Sequence, residues 1–328
     1  MKVQAHATTD GVREPERSFG WRTLDTAIRE TTERGDNEMA TTTATPSRTT
    51  ATTRTTSVFA LIAFFALAYA LSWLILVPAG LGLLPDSAAV LAWLAPFGPA
   101  VAAFVVTALT GGRAGVGQLL RRMVQWRVGI GWYLLILFGV PLVELLGAFA
   151  VLGSVPLEDL ARNWPMIFTS YLPQVLVAVV VIGLAEETGW RGFALPRLQE
   201  RQGPLVGTAV LAVVWVGWHL PNVLFGGWTG TSYALWLVLT IASAFVYTWV
   251  FNNTGGSILL AALLHAAINM GSGLVTGLVP GLGDEFNVQV YGAVAIAFVA
   301  VALVLVAATR GRLGLRTQGE PLEPAARS

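Results

Sequence analysis

No cysteine occurs among the 328 residues, which excludes disulfides, thiolate metal ligands and a cysteine nucleophile. Charge is scarce as well. Asp, Glu, Lys and Arg make up 12% of the chain and hydrophobic residues 55%, whereas soluble domains carry about 25% charged residues. Such a chain reads as an integral membrane protein. The charges nearly cancel, at a net +1, so nothing in the balance argues for nucleic acid as a partner. Histidine is rarer still, with three in all: His6, His219 and His265. The helical His-Glu-x-x-His pattern of zinc hydrolases is missing. So are the internal repeats and paired broken helices typical of transporters.

Apolar runs fill most of the remainder. A bilayer core takes roughly 20 apolar residues per helix, and eight segments qualify: 57–77, 88–109, 131–152, 164–185, 204–225, 233–251, 257–278 and 288–308. The expected fold is an all-α polytopic membrane protein of about eight transmembrane helices, occupying residues 57–309. The seventh segment is the least hydrophobic, interrupted by Gly, Ser, His and Asn. Residues 1–56 are polar, Thr-rich from Thr41, and lack a signal peptide's apolar core, so a disordered leader is expected there. Met39 stands just before the Thr tract as an alternative start, which would make 1–38 an upstream extension. Residues 310–328 read as a disordered tail.

Basic residues set the orientation. Arg48, Arg54, Arg113, Arg121, Arg122, Arg127, Arg191, Arg197, Arg201, Arg310, Arg312 and Arg316 fall on one side. Arg162 alone falls on the other, among Asp86, Glu158, Asp159, Asp284 and Glu285. Both termini are therefore expected in the cytoplasm, with the spans in the cell membrane.

Five ionisable residues lie in or beside the spans: Glu144, Glu186, Glu187, His219 and His265. A carboxylate in hydrocarbon is costly, and adjacent acids repel each other, so such groups point first to function. Each also has a plain reading. Glu186 and Glu187 could cap the end of span four, although acids there oppose the helix dipole. His219, in Trp215-Val-Gly-Trp218-His219-Leu-Pro221, could be a satisfied core residue. His265 and Asn269, at i and i+4 beside small alanines, could form an inter-helix hydrogen bond. Glu144 stands alone as a structural group or the wall of a cavity. Glu187 and Arg191 are four apart and can pair on a continuing helix, which turns Glu186 about 100° away. A shared polar site inside the bundle accounts for all of these groups at once.

Glutamate, two histidines and an amide suit hydrolysis. A desolvated carboxylate can take a proton from water and return it to a leaving amine. Histidine can orient the water, and a second histidine with an Asn amide can donate to an oxyanion. Alternatively, Glu186, His219 and His265 are a ligand set for a catalytic zinc, as in a metalloprotease. Residue types alone leave both open.

Three motifs in order carry a resemblance. Glu186-Glu187-Thr-Gly-Trp-Arg191 fits the Glu-Glu-x-x-x-Arg motif of the CPBP intramembrane protease family, also called the Abi or type II CAAX prenyl endopeptidase family. Trp215-Val-Gly-Trp-His219 is similar to its Phe-x-x-x-His motif with Trp for Phe, and His265-Ala-Ala-Ile-Asn269 matches its His-x-x-x-Asn. The likeness covers roughly 175–270. It implies that Glu186 and His219 activate the water, that His265 and Asn269 stabilise the oxyanion, and that Glu187 and Arg191 support the site. Asn is a poor zinc ligand and a good oxyanion donor, which favours a metal-free reading. The Trp-for-Phe change keeps an aromatic and is read as neutral. The expected substrate is a membrane-associated peptide or lipidated protein, cleaved in a water-filled cavity open to the cytoplasm. That cavity has to reconcile two depths: His219 lies about 15 residues, or roughly 22 Å, along span five, and His265 only about eight residues into span seven. The competing readings are a proton- or solute-coupled transporter using the same groups, and a non-catalytic immunity scaffold.

Overall fold

The computed structural model describes residues 48–152, 157–226, 230–278 and 284–315. The chain divides into the units Met1–Thr53 and Arg54–Ser328. Of the first, only residues 48–53 are described, and they are helical. Helix therefore begins inside the stretch expected to be a disordered leader. The expectations for residues 1–47 and 316–328, the alternative start among them, fall outside the described residues.

In the second unit every regular element among the described residues is a helix. Seven stretches are long and apolar enough to cross a membrane, so the protein is an all-α, multi-pass membrane protein. They are α1 (Val58–Gly80), α2 (Gly98–Met123), entered through a tight 3-10 stretch at Asp86–Phe97, and α3 (Ile130–Gly147). Next come the 52 residues Ile167–Trp218, followed by α6 (Gly230–Asn253), α7 (Ile258–Leu278) and α8 (Asp284–Ala308).

The long stretch holds two helices, which reconciles seven stretches with eight expected spans. Gly203 takes φ +76° and ψ 169°, a conformation open mainly to glycine, and Pro204 follows it. Residues 167–202 form α4 and residues 204–218 form α5. A similar break at Gly112 (φ +58°) ends the apolar part of α2, so that Arg113, Arg121 and Arg122 ride on a separate helical turn. α5 stops at Trp218 rather than running on to 225 as expected. Pro221 has no N–H to offer the Gly217 carbonyl four residues back, and a short helix, Leu220–Phe225, restarts beyond it.

Three further expectations change here. The acid pair was expected at the end of span four, but α4 runs through it to residue 202. Arg191 was counted as a charge facing the cytoplasm, and it is fully buried. The tail expected from Arg310 starts as a packed turn, with Leu313 buried and its carbonyl accepting from Asn252 at 2.9 Å.

α7 has the lowest hydropathy of the seven stretches and the highest buried share, 76%. The two belong together, because a helix enclosed by protein has no lipid to satisfy. Its alanines, Ala261, Ala262, Ala266 and Ala267, are wholly buried and let neighbours approach closely. A Cβ at Gly183 of α4 would come within 2.5 Å of the Ala262 carbonyl oxygen, and one at Gly189 within 2.6 Å of Pro99 on α2. The two glycines bracket the acid pair and seat it between α2 and α7.

Candidate active site

The acid pair occupies a short α-helical segment, Leu184–Gly189, between two wide turns of the π type, Val179–Gly183 and Trp190–Ala194. Such turns inside a helix often occur at functional positions. Both carboxylates are buried, but they face different surroundings.

Glu187 is locked into protein. Its Oε1 accepts from Arg191 Nη1 at 2.9 Å and from His265 Nδ1 at 2.8 Å, which realises the expected i,i+4 pair and adds α7 to it. The Arg191 guanidinium lies 4.1 Å from the Tyr247 ring centroid and 4.5 Å from that of Trp215. Among the described residues its Nε and Nη2 have no hydrogen-bond partner; the two ring faces supply the cation–π contact in their place.

Glu186 lines a cavity of about 350 Å³ together with His219, His265 and Asn269. The four residues come from α4, the end of α5 and α7, so the difference in depth between the histidines closes in the structure. Glu186 Oε2 accepts from the Trp215 indole Nε1–H at 3.0 Å. A phenyl ring at 215 has no such donor, so the Trp-for-Phe change is not neutral: it puts a hydrogen bond on the carboxylate.

His219 sits where α5 ends. Its Nδ1 is 2.9 Å from the Trp215 carbonyl, which can only accept, so Nδ1 carries the proton and a neutral ring leaves Nε2 as an acceptor. Tyr69 of α1 donates to the Val214 carbonyl at 2.5 Å and Trp73 to that of Trp218 at 2.9 Å. Those bonds fix the last turn of α5, where the carbonyls lack helical partners. His265 lies edge-on to Trp215 and Tyr247, with centroids 5.7 and 5.8 Å away. With Nδ1 donating to Glu187, its Nε2 is the nitrogen left for the cavity.

Other cavity residues escaped the reading of the sequence, among them Thr240, Ser243, Tyr247 and Trp236 of α6 and Tyr291 of α8. Thr240, Ser243 and Tyr247 stand at i, i+3 and i+7 along one face of α6, and that spacing was the available signal. Glu144 of α3 is buried against Gly271 of α7, where a Cβ would lie 2.0 Å from Glu144 Oε2, and does not line this cavity.

Glu186, His219 and His265 would be the ligands of a catalytic zinc. Each has one atom in a hydrogen bond to a protein group, which would still leave both histidine Nε2 atoms for an ion, but among the described residues no three His, Cys, Asp or Glu side chains are grouped to hold one. In this arrangement the donor set does not fit a metal, and no step below is routed through one.

Residues 168–271, from α4 to α7, match the family described as type II CAAX prenyl endopeptidase Rce1-like. A relative, CAAX prenyl protease 2 of Methanococcus maripaludis, is 26% identical over 118 residues, which are 33% of this chain and 42% of the relative. This segment is similar to the CAAX-protease family. The matched part of the chain spans less than half the length of that relative. Within the matched segment lie Glu186, Glu187, Arg191, Trp215, His219, His265 and Asn269, the seven residues of the three motifs.

Proposed function

We propose that the chain is an intramembrane endopeptidase that hydrolyses peptide bonds of membrane-associated or lipidated peptides with a water activated by Glu186 and His219. The observation that carries this reading is the meeting of Glu186, His219, His265 and Asn269 on one cavity. A water between Glu186 and the Nε2 of His219 finds two acceptors for its two protons, which leaves an oxygen lone pair for a carbonyl carbon. As the C–O bond forms, Glu186 takes one proton. The developing oxyanion accepts from His265, protonated at Nε2, and from the Asn269 amide. Glu187 supports His265 from behind by accepting its Nδ1–H. When the C–N bond breaks, the proton held by Glu186 passes to the leaving amine, and the carboxylate is restored.

In this reading the cavity opens to the cytoplasmic side of the cell membrane, a side supported by the distribution of basic residues. The experiment is peptide cleavage by purified protein. Glu186→Gln is expected to lower kcat by about two to four orders of magnitude, and Asn269→Ala by about two to three. Chelator is expected to leave the rate unchanged; complete loss restored by zinc would contradict the metal-free mechanism. Solute flux abolished in these variants, with cleavage intact, would favour a transporter instead.

A further inference from the structure

A second polar recess, of about 400 Å³, lies between α2 and α4 beside Ala60 of α1 and is lined by Arg122, Arg197, Glu200, Thr110 and Gln118. It shares no residue with the catalytic cavity. Two guanidiniums face one carboxylate across it, leaving an excess positive charge. Neither arginine is a loose surface side chain. Arg122 donates from Nε to the Gly256 carbonyl at 3.0 Å and from Nη1 to that of Gly192 at 3.4 Å. Arg197 donates to the Phe193 carbonyl at 2.8 Å, with its guanidinium 3.7 Å from the Phe193 ring centroid. The backbone makes room for the first of them: Gly256 has φ +79°, and a Cβ there would lie 2.4 Å from Arg122 Nη2. Carbonyl contacts use part of each guanidinium's five N–H groups and leave others for a ligand in the recess that both arginines line. Phe59 of α1 and Leu120 of α2 are exposed apolar side chains, and they offer lipid tails a surface on the two helices that line the recess.

We propose that this recess binds a phosphate group, that of an anionic phospholipid whose acyl chains lie along α1 and α2. Paired guanidiniums match phosphate oxygens in charge and geometry, and Glu200 is placed to accept from a headgroup hydroxyl. Gly192, held by Arg122, belongs to the wide turn that carries Arg191, so an occupied recess steadies the turn behind the acid pair. Neither point depends on the peptidase reading.

The test is thermal unfolding of the purified full chain in neutral detergent, with added phosphatidylglycerol, phosphatidylcholine or inorganic phosphate. Phosphatidylglycerol is expected to raise the midpoint by about 3 °C and phosphatidylcholine not to. R197Q should lose that rise, and native mass spectra of R197Q should lose the retained anionic lipid. R197Q is the primary variant because Arg122 also ties two backbone carbonyls, so that R122Q would unfold as well as unbind. An equal rise from inorganic phosphate, lost in R197Q, keeps the phosphate site and assigns it to a soluble anion. A rise with phosphatidylglycerol that R197Q fully retains, or no rise in the wild type, overturns the proposal.

Discussion

Glu186 and Glu187 are neighbours in the chain with opposite surroundings, one facing a cavity and the other fully enclosed. The division was legible in the sequence, because the four-residue step from Glu187 to Arg191 fixes which acid pairs and hence which turns away. What Glu187 does besides was not legible: its bond to His265 spans 78 positions and depends on how α4 meets α7. The role of Trp215 was missed because aromatic character was taken as its whole contribution, when its chemistry lies in the indole N–H. Trp215→Phe is therefore expected to lower kcat about tenfold or somewhat more, the loss of one hydrogen bond to a charged group, with KM within about twofold. An unchanged kcat would show that the bond does not matter for turnover. Arg191→Leu leaves a buried carboxylate with histidine as its sole partner and is expected to destabilise the protein by about 3–5 kcal/mol. Glu187→Leu combined with it should recover part of that loss in a thermal melt.

At the scale of elements, the segment 183–189 is shaped by what its two glycines leave out. Each lets a neighbouring helix approach to a distance that a methyl group would block. Gly183→Ala and Gly189→Ala are expected to destabilise by about 1–3 kcal/mol through overpacking. Gly117→Ala, with nothing within 4 Å of the added carbon, should be neutral and serves as the control. The sequence showed apolar lengths well and helix interruptions poorly. Hydropathy counts residues, and it read 204–225 as one span, although Pro221 breaks the ladder at His219 and so presents the histidine at a joint. It also placed the acid pair at a helix end, because two charges look like an end when their partners, Arg191 and His265, are not yet in view. The low hydropathy of α7 was noticed as weakness, yet it reflects the position of that helix inside the bundle.

For the whole molecule, composition alone gave an all-helical membrane protein, since 12% charge cannot clothe a soluble surface. Sidedness rests on the distribution of arginines, now without Arg191, which is buried. The chain's lack of cysteine makes this easy to test, because any introduced thiol is the sole one. A cysteine at Arg121 is expected to react with an impermeant maleimide from the cytoplasmic side, and one at Arg162 from the other; the reverse pattern would invert the proposed topology. The central claim is that Glu186 activates water in a peptidase site, and the most direct measurement is the cleavage rate of a membrane peptide by purified wild type and Glu186→Gln, with a thermal melt of each. The account predicts cleavage by the wild type and a rate lower by about two orders of magnitude or more in the variant at a similar melting midpoint. A folded Glu186→Gln that cleaves at the wild-type rate would contradict it.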